Sequence, residues 1–496
     1  MSAGQPEVRV SAGTVRGARQ DGVARFLGIP FARPPVGALR LAAPQPARSW
    51  SGVREATAYG PPPPQAALLG LNELVQGEAG DWLTVNVWSP ALAPPAGLPV
   101  LVWVQGGGYA MGTASLPEYE GSRLAREGGV VVVTFNYRVG LEGFAHLTGA
   151  PANRGLLDQV AALEWVRENI GAFGGDPARV TLFGQSAGAG CVAALLAMPA
   201  ARGLFGQAIA QSVPGAVFSP ELATDIAATC AAELGLRPTR ADWSTVDPAA
   251  LAAFGDNLTL DAARRASRWG RPGHRLMPIA PVVDGAVLPV SPWRAVAEGA
   301  ARDIPLVVGH TRDEHRLFSL ILGTLGQVTE EQAAQALDTF APDPAAYRGA
   351  YPEAGAEELF ELVHADWLFR MPTLHLAEAQ ARAGGRAHLF ELTWQAPGMG
   401  GILGACHGLD VPLTFGNLTQ GQPATLLDGH GEALSEHIRA AWTGFATHGD
   451  PGWPAYDPRT RLTQVYDTTP TVTPYPEETS RQLWQDHTFT ALPLLT

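Results

Sequence analysis

The sequence predicts an α/β protein, built on a large and mostly parallel central sheet with helices against both faces. Three observations predict it. Short continuous apolar runs recur along the chain, as strands covered on both faces require. Helical-period segments of ten or more residues separate them. The run 179–196 then passes from β-branched residues through a Gly-rich turn into a small-residue, helix-forming stretch. With 46% apolar and 16% charged residues over 496 positions there is material for one large core, so residues 1–496 are read as a single domain.

In chain order, strands are expected at 84–88, 99–104, 129–134, 180–183, 207–211, 304–309 and 388–393. Helices are expected at 156–170, 187–198, 374–383 and 432–447; in the first, Leu157, Val160, Leu163, Trp165 and Val166 fall at helical spacing. Pro61 to Pro64 and Pro90 to Pro99 are stiff surface connections, because strand-like segments resume after each. The Ala-rich stretch around 220–275 carries no clear strand and is expected to be a helical insertion capping the sheet.

Composition narrows the function. A formal charge of −13 opposes binding to nucleic acid or an anionic membrane, both of which select basic clusters. All 34 basic residues are arginine, which excludes a lysine Schiff base. Cys191, Cys230 and Cys406 are far apart and odd in number, so they match neither a disulfide framework nor a zinc site. Reduced, buried thiols are expected, in a cytoplasmic protein. No basic segment followed by an apolar one opens the chain, and no run of about 20 apolar residues offers a membrane span. No metal or organic cofactor is implied.

The stretch Gly184-Gln185-Ser186-Ala187-Gly188 lies between strand and helix, the setting in which such a pentapeptide holds a serine on a strained turn above the sheet edge. A serine hydroxyl needs a base to take its proton, and the base needs a carboxylate to set its tautomer. In the order serine, acid, histidine both must follow Ser186. Asp313 and Glu314 close the strand at 304–309, and the residues alone leave both open as the acid, or as a solvated turn pair. His407, framed by small residues after the strand at 388–393, is better placed than His437 or His448 on a helix; His430 reads as an N-terminal helix residue, and His310 as structural. The third need is a pair of donors for the negative charge of a tetrahedral intermediate. Gln105-Gly106-Gly107-Gly108-Tyr109 follows the strand at 99–104 and exposes backbone N–H groups, with the Ala187 N–H to complete the set. A phosphate cradle is the rival reading, but neither Gly-rich phosphate-binding pattern is met.

These pieces resemble the type-B carboxylesterases, the family of para-nitrobenzyl esterases and cholinesterases, from Gly17 to about Trp484. The supporting blocks are 26–37, 83–88, 136–140, 155–159, 281–285, 366–372 and 442–451, all in the family's order. The resemblance implies an α/β-hydrolase fold with helical insertions over an active-site gorge. It also implies Ser186 as nucleophile, Glu314 rather than Asp313 as acid, His407 as base, and Gly107, Gly108 and Ala187 as oxyanion donors. Arg138 and Asp158 resemble a structural ion pair of the family, and Ser212 is either a partner of the triad or a core serine.

Departures from the pattern carry expectations too. Gln105 stands where the family has histidine, and its amide is expected to bond the loop backbone. Gln185 stands where glutamate is common, which removes a negative charge and disfavours cationic alcohols. Arg33 loses its glutamate partner, with Glu78 as a substitute. The substrate class expected is small to medium, mostly uncharged esters, cleaved through an acyl-enzyme by a monomer or weak homo-oligomer. Alternatives are carbamate, amide or specialised natural-ester hydrolysis with the same residues, and a non-catalytic binding protein on this scaffold. The Gly-Gly-Gly-Tyr loop resembles esterases that accept bulky alcohols. Leu317, Phe318, Leu320, Ile321, Phe369 and Met399 are plausible pocket residues or plain core.

Overall fold

The computed structural model describes residues 5–65, 80–92, 97–275 and 277–495. Glu78 and residues 93–96 of the Pro90 to Pro99 connection lie outside them. Fourteen strands are present among the described residues: β1 (Glu7–Val10), β2 (Gly13–Arg16), β3 (Ala18–Gln20), β4 (Val23–Pro30), β5 (Val53–Glu55), β6 (Thr84–Ser89), β7 (Leu98–Val104), β8 (Val131–Phe135), β9 (Gly175–Gln185), β10 (Gln207–Gln211), β11 (Leu306–Thr311), β12 (Ala387–Leu392), β13 (Leu462–Tyr466) and β14 (Thr471–Pro474). Strands β1, β2 and β5 form a small sheet. The other eleven form the main sheet, in the order β14-β13-β12-β11-β10-β9-β7-β8-β6-β4-β3. Its seven strands from β13 to β8 run parallel, and antiparallel strands close both edges. This is the fold of the α/β hydrolases.

Continuous apolar strands make sense because alternate residues feed two separate cores. Val100, Val102 and Val104 of β7, with Val131 and Val133 of β8, pack under helices Arg154–Asn169 and Ala187–Ala197 through Leu156, Leu163, Val166, Val192 and Leu195. Leu101 and Trp103, with Val132, face helices Ser122–Gly128 and Glu432–His448 through Leu124, Ile438, Trp442 and Phe445. The seven strands read from the sequence all recur, shifted by a few residues at most apart from β9, which starts at Gly175. The remaining strands, β1 to β5, β13 and β14, were not read: apart from the eight-residue β4 they are three to five residues long, and charged, polar or turn residues interrupt the apolar run in each.

Residues 220–275 form helices Pro220–Glu233, Arg240–Trp243, Pro248–Asp261, Ala266–Trp269 and Arg271–His274, with a 3₁₀ turn at Ala262–Arg265. Ser219 and Asp247 cap two of them, each followed by proline at the first helical position, where its missing N–H costs nothing. A second helical stretch, Glu330–Phe340, Pro344–Ala350 and Ala356–Ala365, leads into the helix Met371–Arg382. The sequence reading passed over it, although Thr329 and Gln332 make a reciprocal cap that marks its start.

Candidate active site

Ser186 sits between β9 and the helix Ala187–Ala197 with φ 59° and ψ −129°, a conformation sparsely populated by any residue with a Cβ. Two close approaches force the flanking glycines. A Cβ on Gly188 would stand 2.1 Å from the Val104 carbonyl oxygen, and one on Gly184 would stand 2.7 Å from the Gly188 backbone. The backbone holds the turn from below: the Ser186 N–H donates to the Gln211 carbonyl (2.9 Å).

The sheet brings the loops after β11 and β12 to the same edge. The Asp313 N–H donates to the Ala405 carbonyl (2.9 Å), and the Asp313 carboxylate accepts the Ala405 N–H (2.8 Å). That clasp sets His407 beside Glu314. The His407 Nδ1 is 2.5 Å from Glu314 Oε2, and its Nε2 is 2.8 Å from Ser186 Oγ. Glu314 is fully buried, and its other oxygen accepts from Ser212 Oγ (2.6 Å) and the Thr311 N–H (2.9 Å). Burial pushes the Glu314 carboxyl up, but the His407 charge and the bonds from His407, Ser212 and Thr311 outweigh it, so its pKa is lowered. Of the two adjacent acids, Glu314 therefore faces the imidazole, while Asp313 holds the loop. Ser212 is a partner of the acid.

Other histidines are elsewhere. His310 is buried against the Tyr475 hydroxyl, and burial pushes it down to about 4. His430 and His437 are tied to carbonyls of their own neighbourhood, Asp428 and Ala433. His448 ends the helix Glu432–His448.

Gly106 lies directly on Ser186: a Cβ there would be 3.2 Å from the serine Cβ. Gly107 and Gly108 follow with φ 114° and 60°, and their N–H groups donate to nothing among the described residues. Ala187 opens its helix, where the first N–H groups have no intrahelical acceptor. The Gln105 amide corrects an expectation. It is buried and finds no hydrogen-bond partner among the described residues; the loop is held instead by the Tyr137 hydroxyl, which donates to the Gln105 carbonyl (2.8 Å). Arg138 grips Asp158 through Nε and Nη2 (2.8 and 2.7 Å), both side chains buried, as a structural pair should. Arg33 has no ion-pair partner among the described residues.

Two features were not read from the sequence. The Gln185 amide nitrogen lies 3.1 Å from His407 Nε2, so it shares the lone pair that faces the serine. Asp410, three residues after His407, is buried and accepts from Gln211 Nε2 (2.7 Å); burial pushes its carboxyl up to about 6. Of the residues read as pocket or plain core, Phe369 stacks on the His407 ring (4.3 Å) and Phe318 stands 5.2 Å from it, whereas Leu320, Ile321 and Met399 are exposed. The arrangement can deprotonate a serine, store the proton on an imidazole, and offer backbone donors to an oxyanion.

The family model described as "Carboxylesterase family" matches residues 4–484. The para-nitrobenzyl esterase of Bacillus subtilis is 38% identical over 487 residues, covering 95% of this chain and 96% of that protein. The phenmedipham hydrolase of Pseudarthrobacter oxydans is 34% identical, over 91% and 93% of the two chains. A solved thermophilic para-nitrobenzyl esterase superposes with a TM-score of 0.86 at 38% identity, over 97% of this chain and all of that one (100%). The chain belongs to the type-B carboxylesterase family and is a carboxylic-ester hydrolase.

Proposed function

We propose that Ser186 is the nucleophile of this hydrolase, that His407 is its base and acid, and that Glu314 orients and stabilises the imidazolium. Oγ bonds to the ester carbonyl carbon as its proton passes to His407 Nε2. The oxyanion is received by the N–H groups of Gly107, Gly108 and Ala187. Collapse breaks the bond to the alcohol oxygen, which leaves with the proton from His407. Water, deprotonated by His407, then releases the acid from the acyl-enzyme.

The observation that carries this reading is the continuous line Ser186 Oγ, His407, Glu314, at 2.8 and 2.5 Å, on a strained serine. A fluorophosphonate probe is expected to label Ser186 stoichiometrically, with the label mapped by peptide mass. Ser186→Ala is expected to lose hydrolysis of p-nitrophenyl esters, and full activity in that variant would falsify the assignment. The proposed substrates are small to medium, mostly uncharged esters. The Gly-Gly-Gly-Tyr loop, where a Cβ on Gly108 would meet nothing within 4 Å, supports turnover of tert-butyl acetate as well. Three buried free thiols support a cytoplasmic setting, for a monomer or weak homo-oligomer. No helix among the described residues is long and apolar enough to cross a membrane.

A further inference from the structure

Six arginines are buried among the described residues, and five have their charge answered. Arg40 grips Glu142, Arg138 grips Asp158, Arg370 meets Asp366 and Glu477, and Arg439 meets Glu127 and Glu432. Arg154 donates to the carbonyls of Glu142, Pro151, Leu141 and Ala145. Arg275 differs. It follows the helix Arg271–His274, is only 9% exposed, and has a single side-chain hydrogen-bond partner among the described residues, the neutral His315, whose Nε2 is 2.5 Å from its Nη1. Its Nε is buried with no acceptor, and its Nη2 has none among the described residues. The Nε and Nη2 pair is the edge with which Arg40 and Arg138 hold their carboxylates.

Among the described residues the surroundings supply no anion. His315 is fixed by Ser319 Oγ at its other nitrogen (3.0 Å) and stacks on His364 (4.4 Å). Burial, then Arg275 itself, holds both rings well below the usual histidine range, and no carboxylate is among the groups acting on either ring or on Arg275. Position ties this cation to the active site. The guanidinium lies over Phe318 (5.4 Å), and Phe318 stands against His407 (5.2 Å), so one aromatic ring separates the cation from the imidazole.

We propose that Arg275 is the anion-recognising residue of a substrate subsite beside His407. The enzyme then takes, besides uncharged esters, esters carrying one carboxylate on the acyl or the alcohol portion. A guanidinium keeps its charge at any working pH and presents two parallel N–H groups to a carboxylate. Burying it without an anion is costly, and a bound carboxylate removes that penalty at the moment of binding. The inference rests on the assignment of Ser186 and His407 as the reacting pair.

The test compares matched esters. The acyl arm pairs 4-nitrophenyl hydrogen adipate with 4-nitrophenyl methyl adipate; the alcohol arm pairs 4-acetoxybenzoate with its methyl ester. In one arm or both, Arg275→Met is expected to lower the ratio of anionic to neutral kcat/KM by about tenfold or more. Arg275→Lys, which keeps a charge without the fork, is expected to fall between. Fluorophosphonate labelling of Ser186 counts folded sites in each variant. Calorimetric titration of the Ser186→Ala protein separates binding from chemistry: monomethyl adipate is expected to bind more tightly than dimethyl adipate, and the preference to vanish when Arg275→Met is added. Ratios unchanged by Arg275→Met in both arms, with no preference in titration, overturn the subsite while leaving ester hydrolysis intact. Absence of all turnover and labelling, with the titration preference present, overturns the Ser186 assignment and leaves the anion subsite standing.

Discussion

Replacing Glu314 by glutamine tests the relay at the point where the geometry is most explicit. Glu314 Oε1 accepts from Ser212 and Thr311, and Oε2 faces His407 Nδ1. The two donors to Oε1 fix the amide of Glu314→Gln with its oxygen in that position. The nitrogen must then occupy the place of Oε2, and a donor faces the imidazole Nδ1. The ring responds by accepting there and carrying its proton on Nε2, where it cannot take the proton of Ser186. A comparable tautomer error in a serine protease lowers kcat by about 10⁴, or roughly 5 kcal/mol at 1.36 kcal/mol per decade. Asp313→Asn should behave differently. Its amide can still present an oxygen to the Ala405 N–H, and the Arg316 pair it loses is long (3.8 Å) and only partly buried, worth about 0–1 kcal/mol. A loss under about tenfold is expected. The assay is kcat and KM for p-nitrophenyl acetate, with active sites counted by the acyl-enzyme burst. Equal losses in the two variants, or a greater loss in Asp313→Asn, refute the reasoning.

Other predictions follow from single contacts. Arg138→Met leaves the Asp158 carboxylate buried without its cation, and urea unfolding is expected to show a loss of about 3–5 kcal/mol. Gly107→Ala must place a Cβ 2.3 Å from the Met111 carbonyl oxygen at a φ of 114°, and kcat is expected to fall about 10²-fold or more. Gly206→Ala, whose Cβ meets nothing closer than 4.0 Å, is its silent control. Asp410 carries a raised carboxyl, about 6 against an ordinary value of 3.8, so the folded protein binds a proton that the unfolded chain releases. Its contribution is therefore fully present below the unfolded value and is lost as pH rises through about 6. Asp410→Asn lacks that loss, so its stability relative to the parent should improve from pH 4 to pH 8 by roughly 2–3 kcal/mol. A relative stability that is flat with pH contradicts the burial argument.

What could be read from the chain alone was what depends on near neighbours. An apolar run of five or six residues marks a strand covered on both faces wherever it lies, so the central strands β6 to β12 were legible. The serine turn was legible because strand, glycines and helix are contiguous, and the glycine loop for the same reason. Candidates for acid and base could be ordered but not chosen. Asp313 and Glu314 are adjacent, and only the pairing of the loops after β11 and β12 decides that one clasps Ala405 while the other meets His407. The unused Gln105 amide, the contact of Gln185 with His407 and the lone charge of Arg275 were likewise settled by tertiary packing. Each depends on which groups a side chain fails or manages to meet across tens to hundreds of residues, and local spacing carries no record of that distance.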